Sequence, residues 1–485
     1  MSLRQSGGQH ILPEAGRVPK HWRAQPRAAT KALASLARQG KDEECRELLR
    51  RMRRDEVETN IFHFSSAINA CEKAANWRLA LDTLHSMVQH EVLPNLISYC
   101  SSVSACEKAS QWPAALDLLA EMQQRQVYPN VIAFSSAISA YEKGGEWQRA
   151  LQLFGTMATK KVTQDVVSYG SMISALAQGG QWRLAFHLLS DMVNDQITPN
   201  VVSYNSAISA CEKGLEWKFA LRLLQSMSEA FASPDVVSYS AAISACAKTG
   251  EWQHALSLLM YMGQKKVAPN TVSFNAAVSA AEKVQDWLLA LELMRVMRRT
   301  EVPPSVVTYS SAISACEKSL EWEAALELMS QMPAAKVAAN QITYNSAISA
   351  CEMGCQWRLA TFLLNRMRDV AIPQDELSFS AAISACSRSG RWRDALTLLS
   401  ALQQRAVRCD AVARDAALRA CVKVYRWQAA LLLLHLVPDT VIGCSLVIDG
   451  CEAGGCAALM PSFMDSLERL FMCRARLLHM PSSDS

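Results

Sequence analysis

Cysteine, histidine and a recurring glutamate–lysine pair are the residues of this chain whose chemistry goes beyond packing. Sixteen cysteines and nine histidines would supply a metal centre or a nucleophile if they converged. Zinc sites need thiolates and imidazoles at short fixed spacings, and no CxxC pair with a matching second pair occurs. Eight of the cysteines, Cys71, Cys106, Cys211, Cys246, Cys316, Cys351, Cys386 and Cys421, share one recurring slot, which Tyr141, Leu176 and Ala281 fill elsewhere. A slot that accepts leucine, alanine or tyrosine is a packing position, so these thiols are expected to be free and buried, in a reducing compartment. The histidines have no recurrent acidic or cysteine partner, and there is no glycine-rich phosphate loop, His-Glu helix motif or serine elbow. Neither catalysis, a metal nor a cofactor is expected. The pair seen at Glu72-Lys73, Glu107-Lys108, Glu142-Lys143, Glu212-Lys213, Glu282-Lys283 and Glu317-Lys318 is periodic. Such a pair reads as a solvated face or a phosphate contact, not as an acid–base couple.

The elements that position these residues form a repeat. Eleven tryptophans, Trp77, Trp112, Trp147, Trp182, Trp217, Trp252, Trp287, Trp322, Trp357, Trp392 and Trp427, lie 35 residues apart. Ten complete units run from Ile61 to Asp410 without insertion or deletion, and a period of this size means stacked repeats. Within residues 201–235, Ser-Ala-Ile-Ser-Ala-Cys carries small and apolar residues at helical spacing. After Gly214 and Leu215, the residues Trp217, Ala220, Leu221, Leu224 and Met227 form a second stripe. Asn, Asp or Ser stands before each first helix as an N-cap, and prolines such as Pro94, Pro129, Pro199, Pro234 and Pro269 stop the preceding helix.

One helical hairpin cannot bury its apolar stripe, so the expectation is an all-α fold, an α-solenoid of about 10 to 13 helix-turn-helix repeats with a concave groove. The tryptophans are expected to fasten the second helix to the first. The expected organisation is a basic leader (1–25), a degenerate repeat (26–60), ten complete repeats (61–410), truncated or degenerate capping repeats (411–474) and a disordered tail (475–485). The net charge is +4, concentrated toward the amino end, so nucleic-acid binding would depend on where charge is placed and not on its excess. No apolar run approaches the roughly 18 residues of a membrane span, and no membrane association is expected.

A 35-residue hairpin reading V-V-[ST]-Y-N-x-x-I-S-A near its start and A-L-x-L-L-x-x-M near its end resembles the pentatricopeptide repeat family, fully over residues 61–410. A weaker unit precedes it, with Leu48, Leu49 and Met52 in register but Asp42 in the tryptophan slot. A shortened unit from Ala411 to about Thr440 and a degenerate one from Cys444 to Leu470 follow it. The chain looks like the pure-repeat class, in the tryptophan-bearing variant of some algal and protist members. The tetratricopeptide repeat, which binds peptides, has a period of 34 residues and fits less well.

The resemblance implies binding of single-stranded RNA, one base per repeat, read by two side chains. Those are the fifth residue after each boundary and the boundary residue closing the unit: Ser65 with Asn95, Cys100 with Asn130, Ser135 with Asp165, Gly170 with Asn200, Asn205 with Asp235, Ser240 with Asn270, Asn275 with Ser305, Ser310 with Asn340, Asn345 with Asp375, and Ser380 with Asp410. The family's code then implies A-x-G-x-U-A-C-A-U-G, with Cys100 and Gly170 leaving two positions unassigned. Two further rows fit. Phe62, Ile97, Ile132, Val167, Val202, Val237, Val272, Val307, Ile342 and Leu377 would wedge between bases. Lys73, Lys108, Lys143, Lys213, Lys248, Lys283, Lys318, Arg388 and Lys423, interrupted by Gln178 and Met353, would meet phosphates or pair with the adjacent glutamates.

The boundary residues are also what any N-cap would use, so a protein-binding scaffold with a peptide groove is the alternative. As a pure-repeat protein the chain would act by occupancy in organellar RNA processing, stability or translation, as a monomer, alongside other RNA-processing proteins. Eight cations against one acid, Glu14, in the first 41 residues suggest a mitochondrial or plastid address.

Overall fold

The computed structural model describes residues 26–55, 57–405, 411–424, 426, 429, 430 and 433. The leader 1–25, Asp410, Trp427, the unit from Cys444 to Leu470 and the tail 475–485 lie outside the described residues. Among the described residues there are 23 α-helices and no strand. The chain divides into two units, Met1–Ala245 and Cys246–Ser485.

The first unit holds α1 (Pro26–Arg38), α2 (Asp42–Arg54), α3 (Ile61–Lys73), α4 (Trp77–Gln89), α5 (Leu96–Lys108), α6 (Trp112–Gln124), α7 (Val131–Gly144), α8 (Trp147–Thr159), α9 (Val166–Gln178), α10 (Trp182–Asn194), α11 (Val201–Lys213) and α12 (Trp217–Glu229). Helix α13 (Val236–Thr249) carries the division. The second unit holds α14 (Trp252–Gln264), α15 (Thr271–Val284), α16 (Trp287–Arg299), α17 (Val306–Lys318), α18 (Trp322–Gln331), α19 (Gln341–Met353), α20 (Trp357–Asp369), α21 (Glu376–Arg388), α22 (Trp392–Gln404) and α23 (Ala411–Lys423).

In each unit the odd-numbered first helices stack on one another, and each also packs against its own second helix and the second helix before it. This is an all-α solenoid. The composition of the first helices follows from their position, because a helix with neighbours on three sides needs small side chains. Ala207, Ile208, Ala210 and Cys211 are all buried, with Tyr204 closing the layer toward α12. Second helices bury one stripe only, such as Ala220, Leu223, Leu224 and Met227. Burying one such aliphatic side chain is worth about 1.5–3 kcal/mol, and the repeat multiplies that gain.

The tryptophans correct one expectation. The indoles of Trp112, Trp147, Trp182 and Trp322 reach forward to the end of the first helix of the following repeat. Trp112 of α6 stacks on Tyr141 of α7 with ring centroids 5.6 Å apart, and Arg149 of α8 lies 4.6 Å above it. Arg391 covers Trp357 in the same way at 4.5 Å. A Cβ built at Gly144, Gly179, Gly214 or Gly354 would come within 2.3–2.4 Å of Cδ1 of Trp112, Trp147, Trp182 or Trp322. The indole therefore lies flat on the end of the next first helix and clamps repeat to repeat. Spacing along one unit does not reveal a contact that crosses into the next.

The cysteine slot is a packing slot, as its tolerance of other residues implies. Its eight thiols are free and buried, and burial pushes Cys71 and Cys386 up to about 12 and Cys106 and Cys351 up to about 11. No described helix is long and apolar enough to cross a membrane.

Candidate nucleic-acid interface

The first helices from α3 to α21 begin at a boundary residue whose side chain caps the helix. Asn200 sits at φ −95° and ψ 173°, and its Oδ1 accepts from the Ser203 N–H at 2.8 Å and the Ser203 hydroxyl at 2.9 Å. Asn130, Asp165, Asn270, Asn340 and Asp375 accept from the third backbone N–H of their helices in the same way. Of the two terminal atoms of Asn only the oxygen can accept from a backbone N–H, so the cap decides which atom is left over. Asn turns its Nδ2 donor away from the helix, whereas Asp turns out a second acceptor, Oδ2.

An Asn or Cys fifth residue meets the boundary residue at its capping oxygen, and at Asp375 the second oxygen also accepts from Gln341 Nε2 at 2.7 Å. Asn205 Nδ2 donates to Asp235 Oδ1 at 3.1 Å, and Asn275 Nδ2 to Ser305 Oγ at 3.1 Å. Asn345 Nδ2 lies 3.2 and 3.0 Å from Asp375 Oδ1 and Oδ2, and the Cys100 thiol donates to Asn130 Oδ1 at 3.3 Å. The structure thus joins these four implied pairs by hydrogen bonds. Serine is too short to span the same gap. Ser135, Ser240 and Ser380 bond back to carbonyls of their own helices, while Ser65 and Ser310 meet the hydroxyls of Ser98 and Thr343. Gly170 contributes no side chain, and Asn200, like Asp165, Asn270 and Asn340, is exposed. Ser240 and Asn270 belong to different units.

Burial would raise the Asp235 carboxyl, but hydrogen bonds from the Ser238 N–H and hydroxyl, Asn205 and the Val237 N–H outweigh it and hold the group below the ordinary carboxylate range. It is therefore an anion at neutral pH. Asn345 Oδ1 is buried with no hydrogen-bond partner among the described residues. Its counterparts are satisfied by the hydroxyls of Ser238 and Thr308, whereas Ser378 turns to the Asp375 carbonyl.

The second residue of each first helix from α3 to α21 is apolar and open. Phe62, Ile97, Ile132, Val167, Val202, Val237, Val272, Val307, Ile342 and Leu377 are 56–67% exposed. Val412 of α23 adds an eleventh member at 54%, and at the amino end Thr30 and the capping Asn60 occupy the reader slots of the degenerate repeat. The 35-residue grid would have found all three.

The cation row is largely spoken for. Its partner is the glutamate one repeat back, not the adjacent one: Lys108 with Glu72 at 3.1 Å, Lys143 with Glu107 at 3.2 Å, Lys318 with Glu282 at 2.9 Å and Arg388 with Glu352 at 3.4 Å. Ser104, Ser314 and Ser384 add a hydroxyl to Glu72, Glu282 and Glu352. Where alanine or serine replaces the glutamate, at Ala177, Ala247 and Ser387, the cations Lys213, Lys283 and Lys423 donate to the carbonyls of Gln178, Lys248 and Arg388. Where the cation is missing, at Gln178 and Met353, burial pushes the facing Glu142 and Glu317 above the usual range.

These features define a helical-repeat protein in which a polar pair, an open apolar side chain and an ionic rung recur along the array, with gaps at Gly170 for the pair and at Gln178 and Met353 for the rung. The PPR repeat family matches residues 164–213, 199–248, 234–283 and 304–353, a second PPR repeat model matches 377–407, and a family described as pentatricopeptide repeat-containing protein matches 28–157. The chain belongs to the pentatricopeptide repeat family. No curated protein matches it significantly. Among solved structures, the pentatricopeptide repeat protein PPR10 from maize is 17% identical, with a TM-score of 0.54 over 93% of this chain and 80% of that one. PPR10 in complex with an 18-nt psaJ RNA element is 16% identical, with a TM-score of 0.44 over 91% and 78%. Yeast Rmd9p in complex with a 16nt target RNA is 11% identical, with a TM-score of 0.34 over 93% and 97%. At such identities the likeness is one of fold.

Proposed function

We propose that this chain binds single-stranded RNA along its first helices, one base per repeat, and acts by occupancy in the processing, stability or translation of an organellar transcript. The observation that carries the reading is the capped pair. Helix capping leaves an outward donor on Asn and an outward acceptor on Asp, beside a fifth residue and an exposed apolar side chain. Adenine and cytosine present an acceptor ring nitrogen on their Watson–Crick edges, and guanine and uracil present a ring N–H. Asn at the boundary then suits A or C, and Asp suits G or U. The second residue separates neighbouring bases, as single-stranded RNA recognition requires. Because four of the nine cations of the row face a glutamate and three more are held by helix-end carbonyls, the sequence-independent electrostatic contribution is reduced and base contacts carry more of the affinity. The family and the RNA-bound PPR10 structure support RNA as the ligand, and the basic amino-terminal residues support a mitochondrial or plastid address.

Selection from a randomised RNA pool on the full chain tests this. The expected enrichment is A-x-G-x-U-A-C-A-U-G. Absence of any enriched motif at moderate salt would replace the RNA reading with the peptide-binding scaffold.

A further inference from the structure

A cleft of about 390 Å³ opens between α2 and α4, on the second-helix layer and away from the capped pairs. Arg46, Arg50 and Arg53 line one wall at i, i+4 and i+7, so one stripe of α2 presents three guanidinium groups. Thr83, Ser86 and Gln89 of α4 line the other, above a floor of Leu49 and Phe64.

The repeat supplies an internal control for this stripe. The Arg46 slot holds Leu81, Leu116, Leu151, Phe186, Leu221, Leu256, Leu291, Leu326, Thr361 and Leu396 in the other second helices, so α2 departs from an apolar position. Nor is the stripe a solvated end face, because it points toward the next repeat: Arg46 reaches across to Asp82 at 3.0 Å. That pair consumes one cation and one acid. Glu47 is bonded to Arg51, whose guanidinium, with Arg50 and Arg54 nearby, holds the carboxyl below its ordinary range. Arg53 donates to His90 Nδ1 at 3.2 Å, a contact that needs neutral His90, and burial and the Arg53 charge both push that imidazole down. Among the described residues neither Arg50 nor Arg53 has an acid within ion-pair distance, and both are exposed.

We infer that this cleft is a binding site for a phosphate-bearing anion. Arg46 is anchored by Asp82 as a fixed wall. Arg50 and Arg53 close on the anion with bidentate N–H donors, the geometry that guanidinium offers phosphate oxygens. Gln89 adds a side-chain donor from α4, and the apolar floor holds the group that carries the phosphate. The site is independent of the RNA-reading row and stands or falls apart from it.

Calorimetric titration of the full chain with inorganic pyrophosphate and, separately, with adenosine 5′-monophosphate tests the site. Saturable binding is expected, weakened at least about tenfold by the double substitution Arg50→Ala/Arg53→Ala, which touches only exposed side chains. The control is Arg295→Ala/Arg298→Ala, the same two slots of α16, where the third slot is Leu291; it should change affinity less than about twofold. Tighter binding of the mononucleotide identifies a nucleotide as the phosphate carrier, and tighter pyrophosphate binding identifies a free polyphosphate; either supports the site. Absent binding, equal affinity in the α2 variant, or an equal loss in the α16 control overturns it.

Discussion

Exchanging Asp235 for Asn alters one outward atom and little else. Asp235 Oδ1 accepts from the Ser238 N–H at 2.9 Å, the Ser238 hydroxyl at 2.9 Å and Asn205 Nδ2 at 3.1 Å. The N–H must keep an oxygen acceptor, so the new amide nitrogen takes the place of Oδ2. Asn caps as well as Asp, and the stability cost is the lost charge–dipole attraction at the N-terminus of α13, about 0.3–1 kcal/mol. Recognition changes sign, however. The outward acceptor that suits the N3–H of uracil becomes a donor that suits the bare N3 of cytosine. One net hydrogen bond is worth about 0.5–1.5 kcal/mol, and a desolvated group left unpaired costs about 1–3 kcal/mol. The preference for uracil over cytosine should thus move by about 1.5–3 kcal/mol, or roughly 10- to 150-fold, since 1.4 kcal/mol is tenfold. Competition binding with two ten-nucleotide RNAs differing only at the fifth base, U or C, measures the ratio directly. An unchanged ratio in a variant that retains wild-type helicity would refute the argument that the cap orients the reader.

Three other outcomes follow from the same geometry. Trp112→Ala removes the contacts to Tyr141 and Arg149 and should destabilise by about 2–3 kcal/mol, at or below the lower end of the range of about 3–5 kcal/mol for buried large aromatics because the ring is partly exposed. Amide exchange should quicken mainly in α6 and α7, and a rise spread evenly over the array would contradict a repeat-to-repeat clamp. Gln178→Lys and Met353→Lys supply the missing rungs opposite Glu142 and Glu317. These carboxyls are raised by burial, so the stability they contribute is fully present below the unfolded value of about 4.3 and is lost as pH rises through the folded value. A facing lysine should restore about 0.3–1 kcal/mol each at pH 7.5 and almost nothing at pH 4, read from urea midpoints; a gain equal at both pH values would exclude an ionic origin. Iodoacetamide at pH 8 should label exposed Cys355 and spare Cys71 and Cys386, whose thiols burial pushes up to about 12. Peptide mass spectrometry that found Cys71 labelled in the folded chain would place that slot at the surface.

The solenoid was legible because a period without insertion forces every unit into one environment. A tolerant slot such as Cys211, Leu176 and Ala281 could be read as packing without coordinates. What escaped were contacts that cross repeats. Trp112 and Gly144 lie 32 residues apart, and Lys108 and Glu72 lie 36 apart, in separate helices. Inside one unit the lysine has an adjacent glutamate as its obvious partner, and only stacking shows that the next first helix brings a different one closer. The arginine stripe of α2 was hidden for another reason. Its repeat departs from the consensus at Asp42, and a degenerate unit reads as a cap until α4 is seen facing it.

In the proposed reading, capping and base recognition share one residue, and this would limit the alphabet at the boundary. A boundary residue must accept from the helix N–H groups, worth about 1 kcal/mol per helix, and still hold out a second polar atom. Asn and Asp meet both demands because each has two terminal heteroatoms. Serine has one, so Ser305 accepts from the Thr308 N–H at 3.3 Å and relies on Asn275 to supply the outward amide at 3.1 Å. Alanine at any boundary would therefore cost helix stability and base discrimination together, whereas the Asn–Asp exchange separates them. On the proposed reading, an Asn or Asp helix start would carry its share of fold stability in one atom and its share of recognition in the other.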